Sequence, residues 1–362
     1  MEKRIIIAGG GTGGHIFPAI AIANALKKID GNIEILFVGA KGKMEMEKVP
    51  QAGYNIEGLD IAGFNRSSLI KNIGLPFKMI KSFFQVRKII TRFKPDAVIG
   101  VGGYSSFPVL RFAQAKRIPT FIHESNSFAG KSNIILGKKA TKVFTGTDGM
   151  EKFFPGEKIM VTGNPVRMTI TETGLSRREG TDFFSLDENK KTVLVIGGSL
   201  GAKSINEAIA KRFDELLNAG LQLIWQTGKP YAAKAKELTA GKASVWVNEF
   251  ITQMEYAYAA ADIVVARAGA ITVAELCVVK KPVLFIPYPF AAEDHQTVNA
   301  MQLVNKNAAM MIKDGEAPDM LVPMTIDLAK DENRQAELKK NIAALAITNA
   351  DKIIAEEILK LI

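Results

Sequence analysis

The stretch IIIAGGGTGGHIFPA, Ile5 to Ala19, places five glycines in six positions between an apolar run and a helical pattern. Ile5, Ile6, Ile7 and Ala8 form an unbroken apolar segment without polar alternation, as expected of a strand covered on both faces. From Phe17 onward, FPAIAIANALKK reads as a helix with proline near its first turn and lysines at its end. The glycines therefore occupy a strand-to-helix turn. Absent side chains there let a ligand approach backbone N–H groups and the positive end of the helix. Such a turn suits a phosphate or diphosphate; the structural alternative is a tight turn that packs helix on strand.

Gly9, Gly11 and Gly14 also satisfy the GxGxxG spacing of dinucleotide-binding turns. That reading asks for an acidic residue at the end of the second strand, to hold the adenosine ribose. The second strand, IEILFVG, runs instead into Ala40, Lys41, Gly42 and Lys43. With no carboxylate there, the nicotinamide-dinucleotide reading is set aside.

Outward from this turn, short apolar runs recur, many ending in glycine: IEILFVG, AVIGVGG, TFIHE, KVFTG and IMVTG. Helical stretches between them give the α/β alternation of a parallel sheet covered on both sides. After GNPVR (Gly163–Arg167) a polar stretch from Thr169 to Lys191 reads as a linker. The pattern then restarts in TVLVIGGSLGAKSINEAI, which repeats the strand–glycine turn–helix plan of the opening. The expected architecture is two Rossmann-like, doubly wound domains, residues 1–165 and 166–344. The final helical segment, about 345–362, is expected to pack back across the junction. Ligands are expected at the carboxyl ends of both sheets, in a cleft between them.

At 362 residues the chain can bury two cores. Its single cysteine, Cys277, excludes an internal disulfide framework and suits a reducing compartment. MEKRIII is too short for a signal-peptide core, and Ala257–Val279 is broken by Asp262, Arg267 and Glu275, so no membrane span is expected. The charge is lopsided. Residues 1–165 carry 24 Lys/Arg against 12 Asp/Glu, and residues 166–362 carry 23 against 25. Eight basic residues and no acidic one lie between Ile61 and Pro95. The first half is thus built to meet an anionic partner.

GGGTGGHIFPA, HESNSFAGKSN, GNPVR, GGSLGAKSIN, ARAGAITVAEL and EDHQTVNA, in that order, resemble the motif set of the MurG-type glycosyltransferases. The resemblance runs from Ile5 to about Ala300. It implies a GT-B fold, two Rossmann-like domains facing a cleft, which agrees with the independent reading above. It also implies an inverting transfer of N-acetylglucosamine from UDP-N-acetylglucosamine to the muramyl-pentapeptide diphosphoryl-undecaprenol intermediate of peptidoglycan synthesis. The C-terminal half would hold the donor. Ser199 would contact UDP, and backbone from Ala270 through Ile271 and Thr272 to Val273 would meet the uracil and phosphates. Glu275 would accept bonds from the ribose hydroxyls; its structural alternative is a carboxylate complementing the helix dipole. Ile251 would touch the base. Thr12, Gly13 and Gly14 would line the first half's side of the cleft, and Asn126, Arg167 and Gln296 would surround the sugar and diphosphate. Surface solvation is the bland reading of each of these last three taken singly.

His15, His123 and His295 all fall inside these motifs. His15, at the exit of the glycine turn, is the candidate general base or acceptor-phosphate ligand, and Glu124, just after TFIHE, is the rival base. The departing diphosphate needs charge stabilisation. The chain has neither the Asp-x-Asp pair common in metal-dependent transferases nor a His/Cys cluster with metal spacing, so no metal or other cofactor is expected. Helix N-termini and Arg167 would serve instead.

The basic stretch SSLIKNIGLPFKMIKSFFQVRKIITRFK (Ser67–Lys94) is expected to meet an anionic membrane surface, which places the protein peripherally on the cytoplasmic face of the plasma membrane. Read as a helix after Pro76, it sets Met79, Phe83, Val86 and Ile90 on one covered face, with Lys81, Lys88 and Arg92 opposite. Leu69, Ile73, Leu75 and Phe77, rimmed by Lys71, Lys78 and Lys81, form the expected anchor. Other readings are a GT-B enzyme acting on another lipid or small molecule, and a UDP-N-acetylglucosamine 2-epimerase. The epimerase would need acid–base carboxylates beyond Glu124. A nucleic-acid-binding role is not expected, since no nucleic-acid motif accompanies the basic charge.

Overall fold

The computed structural model describes residues 2–61 and 75–362, without the side chains of residues 75–78 and 292. The chain divides into two compact units. One is Met1–Arg167 joined by Asn349–Ile362, and the other is Met168–Thr348.

The first unit is a seven-stranded parallel sheet: β1 (Arg4–Ala8), β2 (Glu34–Ala40), β3 (Asn55–Leu59), β4 (Ala97–Gly100), β5 (Thr120–Glu124), β6 (Lys142–Thr145) and β7 (Ile159–Val161). Its order is β3-β2-β1-β4-β5-β6-β7, so the opening strand lies where the order reverses. In open α/β sheets, ligands bind outside the carboxyl ends of the strands at that reversal. The unbroken apolar run has its physical reason here. Ile6 and Ala8 pack with Val98, Leu110 and Ile122 on one face. Ile5 and Ile7 pack with Ile22, Leu26 and Phe121 on the other. Each such buried isoleucine contributes about 1.5–3 kcal/mol.

The last helix, Ala350–Lys360, belongs to this unit. Its Ile354 and Ile358 join the Ile5/Ile7 face, against the Gly13–Ile29 helix. The Lys3 ammonium donates to the Leu359 and Ile362 carbonyls at 3.3 and 3.0 Å, which ties the end of the chain to the start of β1.

Besides the helix Arg177–Phe183, which forms inside the expected linker behind a Ser176–Glu179 capping box, two helices depart from the sequence reading. The first begins at Gly13, not Phe17, with Thr12 extended as its N-cap and Pro18 inside it. Glycine's low helix propensity argued for a turn over both glycines, but in a first turn their N–H groups lack intrahelical partners in any case. The basic stretch forms a helix over Leu75–Phe93. Its covered arc is Ser82, Val86, Ile89 and Ile90, while Met79 is exposed along with Ile80 and Phe84. Ser82, a small polar residue that the apolar pattern passes over, lies in the covered arc and bonds the Met79 carbonyl. Met79 therefore leaves the expected covered face.

The second unit is a six-stranded parallel sheet: β8 (Thr192–Ile196), β9 (Gln222–Gln226), β10 (Val245–Asn248), β11 (Ile263–Ala266), β12 (Val283–Phe285) and β13 (Met310–Met311). Its order, β10-β9-β8-β11-β12-β13, repeats the plan of the first sheet, again with the first strand at the reversal. Trp225 is fully buried, and its indole N–H donates to Asn206 Oδ1 at 3.0 Å.

Candidate functional site

In the first unit the β1 turn is braced by a second glycine turn that the sequence reading passed over. The Gly10 N–H donates to the Gly102 carbonyl at 3.2 Å. Gly103, with φ +84°, lies so close to the Gly10 backbone that any side chain there would strike it. Tyr104 brings its hydroxyl beside Gly11, and the helix Ser106–Ala115 starts immediately after. The signal was present in AVIGVGG: a buried strand, two glycines and a helix, the same plan as the other two turns.

His15 is tied into this pair of turns. Its Nδ1 lies 2.9 Å from the Gly10 carbonyl oxygen and 3.5 Å from Thr12 Oγ1. A carbonyl can only accept, so Nδ1 carries the proton and a neutral ring leaves Nε2 with its lone pair. That edge of the ring rests on Gly102, where a side chain would lie 2.8 Å from Nε2. Thr12, the N-cap of the Gly13–Ile29 helix, makes no side-chain capping bond. The first N–H groups of that helix thus have no capping side chain. The Arg167 guanidinium stacks 4.6 Å over the Phe17 ring, which holds it against the same helix.

Glu124 is engaged differently. It is buried, and Oε1 accepts from the Asn126 N–H at 3.1 Å and from Asn126 Nδ2 at 3.4 Å. Oε2 accepts from the Gly130 N–H at 3.0 Å and from Asn133 Nδ2 at 2.9 Å. The carboxylate shapes the loop after β5, and Asn126 is part of that frame. His123 is fully buried. Burial pushes its imidazole down from 6.5 to about 4, so it is neutral near pH 7.

A carboxylate does reach the end of β2 after all. Glu45, five residues beyond Ala40, accepts the Ala40 N–H at 2.9 Å through Oε1 and the Gly11 N–H at 2.8 Å through Oε2. Both oxygens are spent on the protein's own backbone, which leaves the dinucleotide reading without its ribose partner.

The second unit gathers its candidates at the carboxyl ends of β8, β11 and β12. After β8, Gly197–Gly201 forms a tight turn closed by the Gly201 N–H on the Gly198 carbonyl at 2.9 Å. Gln226 Nε2 pins that carbonyl from β9 at 2.7 Å. Ser199 is exposed at the tip, and the helix Lys203–Lys211 follows without a side-chain cap. After β11, Gly269 caps the helix Ala270–Val279, again with no side-chain bond. Ala270, Thr272 and Val273 are half-buried in its first turn, and Ile271 is buried. Glu275 lies in the second turn, beyond the usual reach of the dipole reading, and accepts the Tyr258 hydroxyl at 2.9 Å. Gln296 Oε1 accepts the Tyr288 N–H at 3.0 Å and so fixes the loop after β12. Ile251 is buried, not presented at the surface.

One residue that the sequence reading left unassigned joins these loops. Arg267 donates to the Ile286 and Pro287 carbonyls at 2.9 and 3.0 Å, to Asp314 at 2.5 Å and to Ser204 Oγ at 2.9 Å. Ser204 donates in turn to Asp314 at 2.6 Å. The start of the 203–211 helix and the loop after β12 are thereby locked to one guanidinium. Neither the 203–211 helix nor the 270–279 helix has a side-chain cap at its start, and a helix N-terminus of this kind suits an anionic group.

Two doubly wound parallel sheets, each with a glycine turn after its switch-point strand, define an α/β architecture of the nucleotide-binding type. Residues 5–145 match the glycosyltransferase family 28 N-terminal domain, and residues 192–357 match the glycosyltransferase family 28 C-terminal domain. The chain belongs to that family, and its fold is GT-B. It is 50% identical over 361 residues to the UDP-N-acetylglucosamine--N-acetylmuramyl-(pentapeptide) pyrophosphoryl-undecaprenol N-acetylglucosamine transferase of Phocaeicola vulgatus, covering 99% of this chain and 96% of that one. Among solved structures it is similar to MurG of Acinetobacter baumannii, with a TM-score of 0.77 and 28% identity over 99% of each chain. A UDP-GlcNAc 2-epimerase from Neisseria meningitidis shares the fold alone, at a TM-score of 0.70 and 15% identity over 99% of this chain and 100% of that one.

Proposed function

We propose that the protein transfers N-acetylglucosamine from UDP-N-acetylglucosamine to the muramyl-pentapeptide diphosphoryl-undecaprenol acceptor of peptidoglycan synthesis. The full-length relatedness to a transferase of that name, at 50% identity, carries the reading. The second unit would bind the donor, with Ser199 and the starts of the 203–211 and 270–279 helices on the diphosphate. Glu275, held by Tyr258, would accept from the ribose hydroxyls. Ala270 to Val273, Ile251 and Gln296 would complete the nucleotide and sugar contacts. The first unit would take the acceptor diphosphate at Thr12, Gly13 and Gly14, with Arg167 and Asn126 nearby.

In the reaction, the acceptor hydroxyl attacks the anomeric carbon while its proton passes to His15 Nε2. The bond from that carbon to the UDP oxygen breaks, and UDP leaves with the electron pair. His15 is preferred over Glu124 as the base because its Nδ1–H bond to Gly10 leaves Nε2 as an acceptor. The Glu124 oxygens are already occupied by four donors, which also weakens the epimerase reading.

No metal is required in this scheme, since helix N-termini stabilise the leaving diphosphate and the chain lacks an Asp-x-Asp pair. Transfer should survive exhaustive EDTA treatment; loss restored by magnesium or manganese would overturn that part. His15→Ala should lower kcat with UDP affinity unchanged, whereas a fall in UDP affinity alone would make His15 a binding residue.

The acceptor's polyprenyl chain brings the enzyme to an anionic membrane surface, on the cytoplasmic side where the soluble donor is found. Among the described residues no helix is long and apolar enough to cross a membrane. Support for peripheral docking comes from the 75–93 helix, where Ile80 and Phe84 are 57% and 65% exposed beside the exposed Arg87 and Lys88. Each cation near such a leaflet contributes about 1 kcal/mol. Of the expected anchor, Leu69, Lys71 and Ile73 lie outside the described residues, as do the side chains of Leu75, Phe77 and Lys78. Lys81 is paired to Asp60 at 3.0 Å. Lys41 and Lys81 together hold that carboxyl down at about 2.

A further inference from the structure

We infer that Glu45 is a positioning residue that acts on His15 through the Gly10–Gly11 peptide. The three groups form a hydrogen-bonded chain. The His15 Nδ1–H donates to the carbonyl of that peptide at 2.9 Å, and the N–H of the same peptide donates to Glu45 Oε2 at 2.8 Å. A peptide plane carries its C=O and N–H in opposite directions. Fixing its N–H therefore fixes where its carbonyl points. The other Glu45 oxygen is anchored on the Ala40 N–H at the end of β2, so the carboxylate cannot turn away without breaking a second charge-assisted bond.

The surroundings are shaped to this carboxylate. Glu45 is 1% exposed, and no ion pair to it forms among the described residues. Its side chain fills the space that a Cβ would need at Gly10 and at Gly39, a glycine inside β2 that strand propensity does not explain. A buried carboxylate without a counter-ion is costly unless its oxygens are hydrogen-bonded, and here they are bonded to two backbone groups. The arrangement is a carboxylate–peptide–imidazole chain. It orients the ring and selects the tautomer with the lone pair on Nε2, as a directly bonded carboxylate does for a catalytic histidine. It also commits the Gly11 N–H, which directs an incoming anion toward Thr12, Gly13 and Gly14.

This inference rests on His15 as the base only for its kinetic consequence; the tautomer is measured independently. The chain has three histidines, so long-range 1H–15N correlation of imidazole-labelled protein can resolve His15, assigned by its loss in His15→Asn. In the wild type His15 should give the Nδ1–H pattern. In Glu45→Gln, which keeps the volume but turns an NH2 toward one of the two N–H groups, that pattern should weaken. The kcat should fall about 10- to 150-fold, the range for loss of a hydrogen bond to a charged group, with UDP affinity unchanged. In Glu45→Ala, acetate should restore part of the lost turnover where chloride at equal ionic strength does not. If Glu45→Ala fails to fold, Glu45→Gln alone decides. An unchanged His15 pattern in Glu45→Gln overturns the inference whatever the kinetics. An altered pattern with unchanged kcat keeps the positioning role and removes His15 as the base.

Discussion

Replacing Arg267 by methionine should loosen the second unit at its ligand-facing end. The Arg267 side chain is 11% exposed and that of Asp314 21%, so the pair is largely shielded from water. Methionine preserves much of the stem's packing but leaves the Asp314 carboxylate with only Ser204, and strands the Ile286 and Pro287 carbonyls. Breaking a buried pair by removing one partner costs about 3–5 kcal/mol. With a urea dependence of about 2 kcal/mol per molar for a unit of this size, the unfolding midpoint should fall by about 1.5–2.5 M. Both tryptophans, Trp225 and Trp246, lie in this unit, so tryptophan fluorescence follows its unfolding selectively. UDP affinity should fall as well, because Ser204 and the loop after β12 lose their common tether. Adding Asp314→Leu should recover more than half of the lost stability, since the stranded charge is then gone. A midpoint shift below about 0.5 M would show that Arg267 is not the tether described here.

Glu275→Ala should weaken UDP binding about 10- to 150-fold, the equivalent of 1.5–3 kcal/mol for a hydrogen bond to a charged group. Calorimetry with UDP would show it, and unchanged affinity would reduce Glu275 to support for Tyr258. His123 governs part of the acid stability. Its folded value near 4 lies below the ordinary 6.5, so between those values the unfolded chain holds the extra proton. That contribution is fully present above about pH 6.5 and is lost as the pH falls toward 4, by up to about 3 kcal/mol. His123→Gln should flatten the calorimetric midpoint across that window; an undiminished slope there would assign it to other groups. Finally, Ile80→Ser with Phe84→Ser should reduce sedimentation with anionic liposomes while turnover of a short-chain soluble acceptor stays near wild type. Undiminished sedimentation would place the membrane contact elsewhere.

Much of the fold was legible because parallel strands covered on both faces must be almost wholly apolar, and IIIA, VLVI and IVVA are. Where elements begin was less legible. Gly13 and Gly14 open a helix because a first turn leaves their N–H groups free of intrahelical demands, which propensity does not register. Ser82, Val86, Ile89 and Ile90 set the covered arc of the 75–93 helix, a rotation that an apolar-only pattern misses. In the site, the glycine turns after β1 and β8 declared themselves, and the one after β4 carried the same signal in weaker form. Glu45 and Arg267 gave no local sign. One stands beside Glu47 in what reads as a solvated helical face, and the other looks like an interruption of an apolar run. Only the approach of β2 to β1, and of the Ser204 and Asp314 segments to β11, gives them their partners.

The most direct measurement incubates the purified protein with UDP-N-acetylglucosamine and a short-chain lipid-linked muramyl-pentapeptide, and follows both products. UDP release should depend on the acceptor and match, mole for mole, the formation of a lipid-linked disaccharide with inverted anomeric configuration. UDP-N-acetylmannosamine formed without acceptor, or release of UDP with no disaccharide, would contradict the assignment.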